Sequence, residues 1–324
     1  MGGILVTIAC LVLAVFGGAA RAEENAATRD AAWLERLRLS AEALHWSDEA
    51  IRHEWRLQRR PGTDECRILD PNDRVVRMGD AATCAATLAE LEATGRIKPV
   101  RGRTVIVLHG LGESRSSMKP LAEHLRASLE ATVLSFGYAS TKAVIADHGR
   151  ALATVVAGLP AADRISFVGH SLGNLVARSW MGQAAPRDLE RLDRMVMLGP
   201  PNQGSDLARM ASRVWLLAAL PSGAARDLAI DWKAVAPTLP IPSCPFGIVA
   251  GGKGDEAGYS RILDGDDDAV VRVDETRLDG ADDFLLVPIQ HAAMMKSPTV
   301  HEAVTAFLAT GRFPPSRTAS ELAR

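Results

Sequence analysis

From Arg103 onward the chain alternates short apolar runs with helix-length segments. The runs at 104–108, 132–134, 165–168, 195–198 and 246–250 are nearly continuous and partly β-branched, the pattern of strands buried on both faces. Segments 117–129, 143–157 and 172–183, lying between them, are long enough for helices. The order βαβαβα predicts an α/β fold, a mostly parallel sheet with helices on both faces. Such sheets bind ligands at the carboxyl ends of their strands.

Upstream the pattern differs. Trp33, Leu34, Leu37 and Leu44 recur at helical spacing, and Trp55-Arg56-Leu57 and Arg67-Ile68-Leu69 read as strands joined by a turn at Pro61-Gly62. Pro71-Asn72-Asp73 marks another turn, and a short helix over 85–93 closes a small α+β appendage, residues 23–100, whose role is not legible. Residues 4–16 form an uncharged apolar run followed by Ala20-Arg21-Ala22, so residues 1–22 read as a signal peptide cleaved before Glu23. The expectation is an exported protein, periplasmic or secreted. Because no Lys or Arg precedes the run, an uncleaved anchor is the alternative.

Composition narrows the classes. With 47% hydrophobic residues among 324, and 27 Gly and 17 Pro without a fixed period, the chain is neither disordered nor collagen-like. Lys+Arg 37 against Asp+Glu 39 leaves no basic excess for a phosphate backbone, so nucleic acid is not an expected partner. Cys10 leaves with the signal segment; Cys66 and Cys84 flank a turn-rich stretch and form the natural disulfide pair, with Cys244 left over. The alternative is three inert core thiols. No CxxC supports zinc or thioredoxin-type chemistry, and the GxxxxGK stretch at 247–253 is followed by Gly254 rather than the Ser or Thr that would hold magnesium.

The strongest chemical signal is Gly169-His170-Ser171-Leu172-Gly173, which follows one expected strand and opens the next helix. A nucleophile on so tight a turn leaves no room for Cβ atoms beside it, and the turn exposes Oγ above the sheet. The plainer alternative is a helix N-cap serine. A serine hydroxyl needs a base. Of the eight histidines only His291 and His301 follow Ser171; His301 falls in a C-terminal helix over 300–308 as an expected surface residue, and His291 follows the apolar run 284–289. His291 is therefore the expected base, while His170 points away and His124 and His148 sit in helices. The acid that orients it lies among Asp264, Asp266, Asp267 and Asp268, a cluster that would also suit a solvated turn or a calcium ion. One oxyanion donor is the N–H of Leu172. The second comes from the loop His109-Gly110-Leu111-Gly112, where Leu111 is the candidate and His109 orients the loop through a side-chain hydrogen bond.

Together these segments resemble the α/β-hydrolases of the bacterial lipase and esterase type. The matching residues are His109-Gly110-Leu111-Gly112, Gly169-His170-Ser171-Leu172-Gly173, Gly199-Pro200-Pro201-Asn202-Gln203-Gly204-Ser205, Asp267-Asp268-Ala269-Val270-Val271 and His291. The resemblance covers residues 103–312. It implies that the acid is Asp268, with Asp267 and Ala269 standing where similar lipases carry Asn and Gly. It also implies a catalytic domain over 101–312 with a tail at 313–324, cleaving small-molecule or lipid esters through an acyl-enzyme without cofactor or metal. An acyltransferase or thioesterase would use the same triad, and a catalytically silent lipid-binding protein would keep the fold. Leu207, Met210, Val214 and Leu217 form one apolar helical face, which Trp215, Leu216 and Leu220 widen, so residues 206–240 are expected to form a helical cap inserted over the site and able to touch a lipid surface transiently. Oligomeric state is not legible.

Overall fold

The computed structural model describes residues 44–215 and 222–315, with side chains throughout except 211–215. The expected signal segment at 1–22, Cys10 within it, Trp33, Leu34 and Leu37 lie outside the described residues, as do Leu216, Leu217 and Leu220 and the side chains of Val214 and Trp215.

The chain begins with an antiparallel sheet, β1 (Ser47–Arg52), β2 (Trp55–Arg59), β3 (Cys66–Leu69) and β4 (Val75–Gly79), in sequential order, closed by helix α1 (Ala81–Ala93). Strands β2 and β3 and the helix are the expected elements. Strand β1 occupies polar sequence, Ser-Asp-Glu-Ala-Ile-Arg, that gives no period-2 signal, and Leu44 sits in the turn before it. Strand β4 is an edge whose residues Val75, Val76 and Met78 are exposed.

The expected Cys66–Cys84 bridge is not formed. Both thiols are free and buried in one small core with Leu57, Ile68, Leu88 and Leu91. Cys66 opens β3 and Cys84 lies on the buried face of α1, so each packs as a small hydrophobe. Burial pushes Cys66 up to about 11 and raises Cys84 too, which keeps both protonated at neutral pH. Cys244 is likewise a free, buried thiol.

The main sheet is entirely parallel and has the order β10-β9-β8-β7-β5-β6. Its strands are β5 (Arg103–Leu108), β6 (Thr132–Phe136), β7 (Arg164–His170), β8 (Leu192–Leu198), β9 (Phe246–Gly251) and β10 (Asp283–Val287). Strict alternation divides its side chains. Ile106, Leu108, Phe167, Met197 and Ile248 face one core, and Val105, Val107, Val168, Val196 and Val249 face another. Helices α3 (Ile145–Ala157) and α4 (Leu172–Met181) cover the first, through Leu152, Val156, Leu175 and Trp180. Helices α2 (Lys119–Ser128) and α7 (Pro298–Thr310) cover the second, through Leu121, Leu125, Val304 and Phe307. Burial on both faces explains why the strands read as continuous apolar runs.

The region expected as a cap contains α5 (Asp206–Trp215) and α6 (Ala224–Ala229). Its second half is built into the body of the protein. Ala224, Leu228 and Leu239 are buried in the core, Asp227 Oδ2 accepts from the N–H of Ile145 at the start of α3, and Arg178 on α4 donates to the carbonyls of Leu239 and Pro240. At the other end, Phe313 packs in the second core against Phe307, so packed structure extends one residue beyond 312.

Candidate active site

Strand β7 runs into α4 through Ser171, whose backbone sits at φ 51°, ψ −120°. This strained conformation is compatible with a non-glycine residue only because its surroundings over-determine it. The Ser171 N–H donates to Leu198 O at 2.9 Å, and Asn174 Nδ2 donates to the carbonyls of Ser171 and Leu198 at 3.0 and 3.2 Å. The flanking glycines answer to space. A Cβ on Gly169 would lie 2.4 Å from Asn174 Oδ1, and one on Gly173 would lie 2.6 Å from Leu108 O.

Asp268 and His291 come from the loops after β9 and β10 and meet beside that turn. His291 Nδ1 lies 2.6 Å from Asp268 Oδ2, and the His291 N–H donates to Asp268 O at 2.8 Å. Asp268 is fully buried, and its Oδ1 accepts from the N–H groups of Val270 and Val271 at 3.0 and 2.7 Å. Those two bonds leave Oδ2 for the imidazole. Burial alone would push His291 down, but the adjoining Asp268 carboxylate outweighs it, with help from Glu113, and raises it above its ordinary value. Gly199, at φ 50°, leaves room for this pair, since a Cβ there would lie 2.9 Å from His291 Nδ1.

The neighbouring carboxylates are occupied differently. Asp266 accepts from the N–H groups of Lys253 and Gly254, Asp267 from those of Ser260 and Ala269, and Asp264 is exposed. They diverge rather than share a centre, and among the described residues no group of three His, Cys, Asp or Glu side chains converges as a metal site. The turn carries Ala269 at φ 82°, a left-handed position that favours glycine.

In the loop after β5, Gly110 N–H is taken by Glu113 Oε2 at 2.9 Å and Gly112 N–H by Ser140 Oγ at 3.0 Å, which brackets Leu111. Leu172 is the first residue of α4, so no intrahelical carbonyl can accept its N–H. His109 is fully buried. Its Nδ1 bonds Gly110 O at 2.9 Å, and burial pushes it down to about 4, so it is neutral and holds the loop.

Two residues went unseen in the sequence. Glu113 Oε2 accepts from Gly110 N–H and Ser117 Oγ and lies 3.3 Å from His170 Nδ1. Burial opposes its charge, but attraction to His170 and these hydrogen bonds prevail and hold it well below the usual carboxylate range. His170 stands 4.5 Å, ring to ring, from His291, so His170, with Glu113 beside it, flanks the site instead of pointing away as expected. The other is Asn174, described above. His301, expected at the surface, is instead buried, its Nε2 bonded to Met295 O at 2.8 Å beneath the loop that begins at His291.

Residues 101–198, which include Ser171 but neither Asp268 nor His291, match the family described as "Putative serine esterase (DUF676)". Among solved structures the chain is similar to the lipase BlEst2 of Bacillus licheniformis. In the mature form the TM-score is 0.52 at 18% identity over 67% of this chain and 94% of that one. In the propeptide form it is 0.55 at 19% identity over 68% and 54%. It is also similar to the phospholipase PlaB of Legionella pneumophila, with a TM-score of 0.51 at 17% identity over 68% of this chain and 60% of that one. No curated protein sequence matches it. The topology and these likenesses show an α/β-hydrolase fold.

Proposed function

Starting from an α/β-hydrolase fold, we propose that this chain is an exported serine hydrolase that cleaves carboxylic esters through a Ser171–His291–Asp268 triad. The observation that carries the reading is the strained turn at Ser171, next to a buried His291–Asp268 pair whose bond is 2.6 Å long. Ser171 Oγ attacks the ester carbonyl while His291 Nε2 takes its proton. Asp268 fixes the Nδ1–H tautomer and stabilises the imidazolium that forms. The N–H groups of Leu111 and Leu172 meet the negative charge that develops on the carbonyl oxygen. The protonated His291 then gives its proton to the departing alcohol. Water, deprotonated by the same imidazole, releases the acid and restores Ser171. Among the described residues no hydrogen bond joins Ser171 Oγ to His291, a contact that in such enzymes tightens as substrate binds.

A fluorophosphonate probe tests the chemistry directly. Labelling at Ser171, lost in Ser171→Ala, together with turnover of nitrophenyl esters, is the expected result. Folded protein that is inert to both is a silent lipid-binding fold instead, and faster acyl transfer to an added alcohol or thiol than to water marks an acyltransferase. Graded acyl chains report the substrate class. A mature N-terminus at Glu23 in the extracytoplasmic fraction checks export.

A further inference from the structure

The N-terminal sheet lies outside the segments that carry the chemistry, and it is fastened to the end of β6 and the residues that follow it. The Asp48 N–H donates to Gly137 O at 2.8 Å, and the Gly137 N–H returns to Asp48 Oδ2 at 2.7 Å. Arg56 Nη1 on β2 donates both to Asp48 Oδ2, at 2.6 Å, and to Ser135 O on β6, at 2.7 Å. Gln58 Nε2 takes the other carboxylate oxygen at 2.8 Å, and Ser47 Oγ accepts from Ala139 N–H at 3.1 Å. Asp48 is 0% and Arg56 1% exposed, so this pair sits in the protein interior.

The segment so gripped, 137–140, holds the 109–112 loop from its other side. Tyr138 Oη donates to His109 O at 2.5 Å, the Tyr138 ring stacks on His109 at 4.1 Å, and Ser140 Oγ accepts from Gly112 N–H at 3.0 Å. Leu111 lies between these two anchors. We propose that the N-terminal sheet is an intramolecular brace for the oxyanion loop, with Asp48, Arg56 and Tyr138 acting as positioning residues that aim the Leu111 N–H. The inference rests on the esterase reading above. A buried ion pair gains little net stability over apolar packing of the same shape, so what this one contributes is position. Position matters here because a misplacement of about 1 Å can cost on the order of 10²-fold in rate.

The test compares wild type with Asp48→Asn and Tyr138→Phe on a short-chain nitrophenyl ester and on its thionoester, whose sulfur fits an oxyanion hole poorly. Active sites are counted by the end-point of fluorophosphonate labelling. In each variant kcat per labelled site on the ester should fall by roughly 10- to 100-fold. KM should stay within about twofold, and the acid limb of the pH profile should not move, because the His291–Asp268 pair is intact. The preference for ester over thionoester should shrink in proportion. Tyr138→Phe keeps the stacked ring, so it tests the inference even where Asp48→Asn folds poorly. Folded variants with unchanged kcat, or equal losses on ester and thionoester, overturn the brace. Wild-type protein that turns over neither substrate and takes no label overturns the esterase reading, and the brace with it.

Discussion

Replacing Asp268 by Asn probes the candidate site most sharply, because the amide fits the cavity and changes one hydrogen-bonding group. Asn can keep its carbonyl oxygen where Oδ1 accepts from Val270 and Val271. Its NH₂ then faces His291 Nδ1 at the position of the present 2.6 Å bond. Two donors cannot share that bond, so the imidazole must present Nδ1 as acceptor and carry its proton on Nε2, the nitrogen that should receive one from Ser171. Turnover should drop by about 10⁴-fold, which corresponds to roughly 5 to 6 kcal/mol of barrier.

The pH profile supplies a second readout with a defined sign. In wild type the Asp268 carboxylate raises His291, so the neutral base appears only as pH rises through a value above 6.5. Without that charge, burial, the largest opposing influence, weighs more, and the acid limb should move to lower pH. The same raised value means that the stability from the pair is fully present below the unfolded-state value and is lost as pH rises through the folded one. Steady-state kinetics from pH 5 to 9, with melting curves to confirm folding, make the measurement. A loss below tenfold, or a larger loss in Asp266→Asn or Asp267→Asn, refutes the assignment of Asp268 as the acid.

Ser171→Ala and His291→Ala should each lower turnover by up to ~10⁶-fold and no further when combined, since the two act as one unit; additive losses in the double variant contradict this. Glu113→Gln removes a half-buried charge that helps raise His291, so its acid limb should shift to lower pH with Ser171 labelling retained; an unmoved limb means the two groups do not couple. Ala269→Gly relieves a left-handed alanine at φ 82° and should stabilise the protein by about 1 kcal/mol, seen as a higher melting temperature with unchanged kcat. A lower melting temperature would show that the turn is not strained.

The parallel sheet was legible because strands β5 to β9 are buried on both faces and therefore carry continuous apolar runs, whereas the edge strand β10 is only half-buried. The Ser171 turn was legible because steric exclusion at Gly169 and Gly173 leaves a mark in the sequence itself. Strand β1 was not, since its Asp48 and Ser47 are chosen for bonds to Gly137 and Ala139, some ninety residues away, and such partners leave no local period. Glu113 was invisible for a related reason. A glutamate in a loop ordinarily signals solvent, and only the tertiary approach of His170 and Gly110 gives it a role. The cysteines misled because spacing fixes only that two residues can be joined, whereas burial among Leu57, Ile68 and Leu88 decides that a thiol is already satisfied without a partner.

What holds the candidate nucleophile in place is therefore not local. A residue at φ 51°, ψ −120° costs about 1 to 3 kcal/mol, and Ser171 has no intrinsic preference that offsets it. The compensation lies in Leu198 O, which accepts from both Ser171 N–H and Asn174 Nδ2, and which belongs to β8, the strand buried on both faces next to β7. Register between β7 and β8 thus sets the turn, and the turn sets Oγ. The same end of β8 continues into Gly199, whose missing side chain leaves the space that Asp268 and His291 occupy. One strand end accordingly positions all three residues of the candidate triad. A residue that shifts β8 by a fraction of an ångström, such as a larger side chain in place of Val196 in the second core, should disturb the serine and the imidazole together even though it touches neither.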